Sequence, residues 1–313
     1  VLDSAAEVNA MANPQLESPL GTHEVANQPQ PLLPYNLYAT DRALHEAVGR
    51  EGAGWAHARL ERFGALVGAE AFELGVQANT WTPVHRSHDR YGYRVDEIDF
   101  HPSWHALMRL SVENELHALP WREPRPGGHV ARAALFFLMS QAEAGHGCPI
   151  SMTYAIVPAL RHQPDLAAVW EPRITAPRYD PRQIPASQKS GAICGMAMTE
   201  KQGGSDVRAN TTRAVAVDGG GPGAAYEITG HKWFCSAPQS DAFLMLAYTE
   251  KGLSCFLVPR WLDDGSRNRI FVQRLKDKLG NRSNASSEVE LAAAYGWMVG
   301  EEGRGVPTII EMV

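Results

Sequence analysis

The spacing of apolar residues changes near Gly191. Before this residue, apolar side chains recur every three or four positions, which is typical of helices that pack on one face. After it, short stretches rich in β-branched and aromatic residues are separated by Gly, Pro, Asn and Asp. Each pattern must bury its own apolar face, so a helical part is expected to precede a sheet. This order predicts an α+β fold whose second part is a compact β-barrel or sandwich.

Helices are predicted throughout the first part. Two are expected between Asp41 and Gly75, where glycines at positions 49, 52 and 54 interrupt the pattern. Three more are predicted over Pro102–Leu116, Val130–Ala144 and Ile150–Arg161. A connection rich in proline and charged residues is expected from there to Gln188.

Short strands are predicted after Gly191. They are expected over Ile193–Met198, Thr211–Val217, Tyr226–Gly230, Phe243–Tyr248, Ser254–Val258, Arg269–Arg274 and Glu288–Leu291. Helical spacing returns at Gly305, and the sequence stops at Val313 within the second turn of that helix. Because so short a helix is not stable by itself, we expect more helical sequence to follow.

The chain is long enough for more than one domain. At 313 residues it exceeds the size at which a single core usually stops growing, about 250 residues. We expect a disordered polar leader over residues 1–24, a helical domain over 25–191 and a β-barrel over 192–299. Residues 300–313 would then begin a truncated C-terminal helical domain.

Composition and charge restrict the class of protein. Apolar residues make up 44% and charged residues 20%, as in ordinary globular proteins. The formal net charge of −6 repels phosphate, so binding to nucleic acid would need a local basic patch. Neither a long apolar run nor a secretory signal is visible, and a cytoplasmic protein is therefore predicted. The four cysteines lie far apart without a CxxC pair, so neither a disulfide framework nor a metal site is expected.

Two short patterns have ordinary structural explanations. The sequence GGGPGA at residues 219–224 fits a dinucleotide-binding glycine pattern, but its proline and the strand that follows favour a hairpin loop. His101 and His105 are spaced like metal ligands on one face of a helix. No third ligand stands at a telling distance, so a partly buried pair with other partners is favoured.

The densest basic run allows two interpretations. It consists of Arg274, Lys276, Lys278 and Arg282. Such a run can contact DNA or another phosphate. A solvated strand end is favoured, because four exposed cations rarely outweigh a negatively charged body.

Two segments carry chemistry that is more specific. In GMAMTEKQGGSD, residues 195–206, a strand leads to the Thr199 hydroxyl and then to a Gly-Gly-Ser turn whose backbone N–H groups can approach an anion. In GHKWFCS, residues 230–236, the aromatic Phe234 stands two positions before the Ser236 hydroxyl. An aromatic surface with hydrogen-bonding groups at its edge suits a flat heteroaromatic ring. Each segment alone is equally compatible with turn chemistry beside a core strand.

Together these segments resemble the flavin signature of the acyl-CoA dehydrogenase family. That signature reads TE-x-x-x-GSD and K-x-W-I-T, against TEKQGGSD and HKWFCS here. A third segment, LKDKLGNRSNASSEVE at residues 275–290, resembles the family's KLG-x-R-x-S segment. EGAGW at 51–55 and FHPSWH at 100–105 extend the resemblance, over residues 27–313, to the family's alkylation-response branch.

The resemblance implies a fold and a cofactor. The fold is a helical domain, a middle β-barrel and a C-terminal helical bundle, and the cofactor is FAD. The residues matched to flavin binding are Met196, Met198, Thr199, Gly204, Ser205, Phe234, Cys235 and Ser236. Many relatives carry Trp and Thr at the positions of Phe234 and Ser236, so an aromatic ring and a hydroxyl are retained here.

The resemblance assigns no catalytic residue to this sequence, because the family's glutamate base belongs to the C-terminal bundle. It implies an FAD-binding homotetramer in the DNA alkylation damage response that binds double-stranded DNA through its C-terminal region. The alternative is an oxidoreductase that introduces an α,β double bond into an acyl-CoA thioester such as isovaleryl-CoA.

Overall fold

Helices occupy most of the described residues before position 175. A computed structural model describes residues 27–30 and 32–313, so the leader predicted over residues 1–24 lies outside the described residues. The helices are α1 (Arg42–Arg50), α2 (His57–Leu66), α3 (Phe72–Thr80), α4 (Pro102–Glu113), α5 (Leu119–Arg122), α6 (Gly128–Ala142), α7 (Gly147–Leu160), α8 (Pro164–Ile174) and, after the last strand, α9 (Gly305–Ile309). None of the helices in the described residues combines the length and apolar character needed to cross a bilayer.

Local sequence signals set the start of two helices. The Asp41 side chain accepts a hydrogen bond of 2.9 Å from the Leu44 N–H and caps α1. Pro102 occupies the first turn of α4, where its missing N–H is not needed. His101 caps the same helix by accepting from the Ser103 N–H, and its ring stacks on Trp81.

The prediction of a proline- and charge-rich connection up to Gln188 is wrong for residues 164–174, which form α8. Pro164 stands in the first turn of this helix, where proline is tolerated. Pro172 lies close to its end, so it removes little of the hydrogen bonding. Prolines that suggested a break therefore mark the two ends of a helix.

A hairpin within the helical part was not predicted. Its strands are β1 (Val84–His88) and β2 (Arg94–Asp99), which pair antiparallel. They are polar, and Arg86 forms ion pairs with Glu97 and Asp99 across the hairpin. Cross-strand charge pairing stabilises these strands, and apolar alternation could not have located them.

The second part of the chain forms a closed β-barrel. Its strands are β3 (Cys194–Ala197), β4 (Arg213–Ala216), β5 (Ala225–Ser236), β6 (Ala242–Thr249), β7 (Gly252–Pro259), β8 (Ile270–Leu275) and β9 (Ser286–Val299). Strands β6, β4, β5, β9 and β7 are hydrogen-bonded in that order, and β7 also pairs with β6. Strand β3 adds to β6 in parallel, and β8 pairs with β9. The predicted order of helices followed by a β-barrel is confirmed.

Strand β6 shows why the barrel and the helices share a boundary. Leu244 and Leu246 pack in a core with helices α7 and α8, whereas Phe243 and Met245 point into the barrel interior. Because successive side chains of a strand face opposite sides, a strand buried on both faces must be apolar throughout. A third core fills the space among helices α1 to α6 and the first turn of α7.

The glycine pattern at residues 219–224 and the pair of His101 and His105 have structural roles. Residues 219–224 form the loop between the antiparallel strands β4 and β5, with positive φ at four of its glycines. The predicted hairpin loop is therefore confirmed. His105 is partly buried, and its Nδ1 lies 2.7 Å from the Tyr179 hydroxyl, while His101 caps α4.

Candidate functional site

The structure brings the two informative segments side by side. The Trp233 N–H donates a hydrogen bond of 2.8 Å to the Thr199 carbonyl. Further along, a Cβ atom added to Gly195 would lie 3.4 Å from the Ser236 carbonyl oxygen and 2.6 Å from the Phe243 ring. Only glycine permits this close approach. Residues 195–199 and 233–236 therefore run past each other in opposite directions.

A tight turn follows Thr199. Glu200 and Gly203 exchange two backbone hydrogen bonds of 3.1 Å each. Gly204 lies against Thr199, since a Cβ added there would be 3.1 Å from the threonine methyl group. Ser205 is exposed. Among the described residues, neither the Thr199 nor the Ser205 hydroxyl has a hydrogen-bond partner, so both are available to a ligand.

A buried ion pair connects the two segments. The Lys232 ammonium lies 2.9 Å from the Glu200 carboxylate, and both side chains are 0% exposed. The ammonium also donates to the Leu246 carbonyl at 2.7 Å. The carboxylate accepts further bonds from the backbone and hydroxyl groups of Thr211 and Thr212. A charge buried this deeply is tolerated only when it is paired and hydrogen-bonded.

The protonation of this pair follows from its surroundings. Burial by itself raises the pKa of Glu200, but the Lys232 charge and the donors at Thr211 and Thr212 outweigh it and lower the pKa to about 2. Burial lowers the pKa of Lys232, and the Glu200 carboxylate opposes that shift. The pair therefore holds the two segments together near neutral pH.

A β-bulge turns two successive aromatic residues away from the core. Lys232 pairs with Val289 and Cys235 with Ser287, so strand β5 has one residue more than β9 between these pairs. The extra residue breaks the alternation of side chains. Trp233 is consequently only partly buried, and Phe234 is 49% exposed. The Lys276 ammonium lies 3.1 Å from the centre of the Trp233 ring and 4.6 Å from that of Phe234.

The remaining predicted residues take different positions. Met196 and Met198 are partly buried and pack against the core shared with α7 and α8. The Cys235 side chain is 0% exposed within the barrel, and burial raises its pKa to about 12. Only the backbone of Cys235 can therefore face a ligand on the outer surface. The Ser236 hydroxyl lies 3.1 Å from that of Ser286.

Three neighbours of the site were not predicted as site residues. They are Trp233, Lys276 and Ser286. Lys276 belongs to the basic run and Ser286 to the third matched segment, so the sequence marked both positions. It did not show that they contact the two flavin segments. Trp233 could be recognised only from the bulge, which depends on pairing with β9.

The arrangement has the properties needed to hold a flat heteroaromatic ring. The half-exposed Phe234 offers an apolar face, and the free Thr199 hydroxyl offers a hydrogen bond at an edge. The exposed Gly204 and Ser205 continue the surface with backbone that a ligand can approach closely. The described residues therefore fit a ring cofactor with a polar extension.

Family comparisons agree with this division of the chain. A family model described as the N-terminal domain of the adaptive response protein AidB matches residues 27–181. A second model, the middle domain of acyl-CoA dehydrogenases, matches residues 195–294. Both predicted flavin segments lie within the second match.

Individual proteins are similar over most of the chain. AidB of Escherichia coli (strain K12) is 52% identical over 294 residues, which are 93% of this chain and 54% of that protein. Caenorhabditis elegans ACDH-11, crystallised in complex with C11-CoA, superposes with a TM-score of 0.80 at 28% identity, covering 93% of this chain and 51% of that one. The chain thus spans about half the length of these relatives.

A more distant structure shares the fold. It is an acyl-CoA dehydrogenase from Bacillus anthracis, solved in complex with FAD. The TM-score is 0.51 at 18% identity, and the match covers 67% of this chain and 34% of that chain. At this identity the likeness shows the fold alone.

Proposed function

Because the chain belongs to the acyl-CoA dehydrogenase family and has an AidB-type N-terminal domain, we propose that it binds FAD on the surface formed by residues 196–205 and 233–236. The observation that supports this most directly is the contact between the two flavin-signature segments, made by the hydrogen bond from Trp233 to Thr199. Members of the family bind FAD, and the half-exposed Phe234 provides a face for its ring.

Each residue has a defined part in this proposal. Thr199 and Ser236 would donate hydrogen bonds to the edge of the ring, and Phe234 would cover one face. Gly204 and Ser205 would approach the pyrophosphate, since backbone N–H groups of a glycine turn suit an anion. Met196, Met198 and the backbone of Cys235 would complete the wall. We place this surface in a β-barrel domain over residues 192–299 that follows a helical domain over residues 25–191.

FAD supplies a hydride acceptor when it is bound. The residues of this chain then hold and orient the ring and exclude water from one side. No group in the described residues is assigned as a base, and in this proposal the base comes from sequence outside them.

Absorbance and titration test the cofactor assignment. Purified protein should show the visible absorbance of an oxidised flavin, and FAD added to cofactor-free protein should restore it at a stoichiometry of one per chain. Protein that is folded by circular dichroism but neither carries nor takes up FAD would refute the assignment.

We further propose a role in the DNA alkylation damage response, as a cytoplasmic homotetramer that binds double-stranded DNA through a C-terminal region. The similarity to AidB and to its adaptive-response domain model supports this role. Binding of the full chain to duplex DNA should weaken steeply as salt is raised, because cations on the protein release counterions from the duplex. Weak binding at low salt without such a dependence would count against it.

A second candidate is the oxidation of an acyl-CoA thioester to its α,β-unsaturated product. The similarity to ACDH-11, which was crystallised with C11-CoA, favours it. A panel of acyl-CoA thioesters of increasing chain length, including isovaleryl-CoA, should bleach the flavin in the absence of oxygen if this is correct. Retention of the oxidised spectrum with every thioester would reject it.

A further inference from the structure

A cavity beside the proposed flavin surface is lined mainly by cations. It has a volume of about 240 Å³ and lies between residues 82–83 and the turn that joins β8 to β9. Lys276, Lys278 and Arg282 line it, together with a single carboxylate, that of Asp277. A water molecule occupies about 30 Å³ in the liquid, so the space is large enough for a polyatomic ion with its hydration.

The cations of the basic run divide into two groups. Arg274 and Lys276 both contact the Glu288 carboxylate, at 2.7 and 2.8 Å. Lys278 and Arg282 have no carboxylate within 4.0 Å among the described residues. The first group therefore shares one counterion, whereas the second has none among the residues described. This division contradicts a uniformly solvated strand end.

Lys278 is held in position but retains donor capacity. Its ammonium donates to the Asn284 carbonyl at 2.7 Å and to the Ser286 hydroxyl at 3.1 Å. An ammonium has three N–H groups, so one remains for a ligand. The side chain is partly buried, and this burial lowers its pKa despite the charge of Glu143. A desolvated cation that lacks a counterion is stabilised when an anion binds.

Asn284 also lines the cavity, but it adds no donor there. The residue is 4% exposed, and the atom without a hydrogen-bond partner in the described part of the chain is its side-chain oxygen. An amide oxygen only accepts hydrogen bonds, so it does not bind the oxygens of an anion. The cations therefore supply the donors of the cavity.

We propose that this cavity binds one small oxyanion, a carboxylate or a phosphate group, through Lys278 and Arg282. Ser286 connects it to the flavin surface, because its hydroxyl lies 3.1 Å from both Lys278 and Ser236. The anion thus belongs to a substrate or effector bound beside the ring edge. That placement rests on the proposed function, but the binding of the anion does not.

The test is a titration of the full chain with inorganic phosphate and with acetate, at constant ionic strength and followed by calorimetry. At least one of the two should bind, and Lys278→Gln should weaken it at least tenfold, with a smaller loss for Arg282→Gln. Lys278→Arg keeps the charge and should bind within about threefold of the wild type. Arg274→Gln, a cation of the same run outside the cavity, should leave the affinity within twofold.

Several outcomes would overturn the proposal. Unchanged affinity in Lys278→Gln would do so, as would an equal loss in Arg274→Gln, which would indicate general attraction by surface charge. If Lys278→Gln weakens the binding of a short DNA duplex but not that of phosphate or acetate, the cavity binds nucleic acid instead. Near-ultraviolet circular dichroism checks that each variant is folded. Titration of the same samples with FAD separates the two hypotheses, since anion binding by protein that neither carries nor takes up FAD would refute only the proposed function.

Discussion

At the scale of single residues, the buried pair of Lys232 and Glu200 has the largest expected effect on stability. Its two side chains join the strand that carries Trp233 and Phe234 to the turn after Thr199. Forming such a pair costs desolvation energy, so the intact pair adds little net stability. Its main effect is to hold the strand and the turn in position. Removal of one partner leaves the other charged and buried.

We therefore predict that Lys232→Met lowers the free energy of unfolding by about 3–5 kcal/mol. Urea denaturation measures this directly. Lys201→Met is the matched control, because Lys201 is exposed and contacts only the edge of the same site. It should change stability by less than about 0.5 kcal/mol. Equal losses in the two variants would show that the pair is not the anchor.

The two hydroxyls at the ring edge give a second prediction. Thr199→Val together with Ser236→Ala should weaken FAD binding by about 1–3 kcal/mol, because each change removes one hydrogen bond. Titration of cofactor-free protein with FAD measures the change. Ser140→Ala, whose hydroxyl bonds to the Phe136 carbonyl within α6, should bind FAD normally. Unchanged affinity in the double variant would mean that the flavin site lies elsewhere.

At the scale of elements, Glu143 joins two helices to the turn before β9. Its carboxylate accepts from the Gly145 N–H at 2.8 Å, from His146 Nδ1 at 2.7 Å and from the Ser283 hydroxyl at 2.7 Å. His146 Nε2 in turn lies 2.8 Å from the Ser111 hydroxyl. The order Ser–His–Glu matches a hydrolase triad, but Ser111 and His146 are 0% exposed. The arrangement is therefore a structural clamp between α4, α6, α7 and the turn.

Glu143→Gln should destabilise the protein by about 3 kcal/mol, because a charged acceptor of several buried hydrogen bonds is replaced by an amide with donors in the wrong place. Thermal unfolding at neutral pH measures the loss. Glu113→Gln is the control, since that carboxylate is exposed and forms only a loose pair with Arg109. A change of less than about 1 kcal/mol for Glu143→Gln would show that the clamp contributes little.

At the scale of the whole molecule, these two carboxylates determine the response to acid. Burial by itself raises the pKa of Glu143, but the hydrogen bonds and charge of His146 and the Ser283 hydroxyl lower it to about 2. Glu200 has a pKa of about 2 for the reasons given above. An unfolded glutamate has a pKa of about 4.3. The stabilisation is therefore fully present above the unfolded value and is lost as pH falls toward the folded value.

We predict that the free energy of unfolding falls between pH 5 and pH 2, by on the order of 3 kcal/mol for each of the two groups. Urea denaturation at a series of pH values measures the slope. In Glu200→Gln the slope should be smaller, because one of the two groups no longer titrates. A stability that is flat over this range would contradict the assigned protonation.

The sequence by itself determined the order of elements and the segments that carry the chemistry. Helical spacing located the helix that begins at Pro102, and turn residues located the strands, because both signals are local. The two flavin-signature segments were recognised from their residues alone. The lengths of two strands were underestimated: β5 continues from Gly230 to Ser236 and β9 runs on to Val299. Their extension depends on pairing with each other.

Tertiary structure alone decided which side chains meet. The bulge that exposes Phe234, the burial of Cys235 and the Lys232–Glu200 pair all depend on contacts between residues distant in the chain. The same holds for the basic run, in which pairing with β9 places Lys276 against Glu288 and leaves Lys278, beside a cavity, without a carboxylate partner among the described residues. The periodicity of a sequence shows which face of an element is apolar. Which residue pairs with a buried charge is determined only by the folded structure, because the partners are distant in the chain.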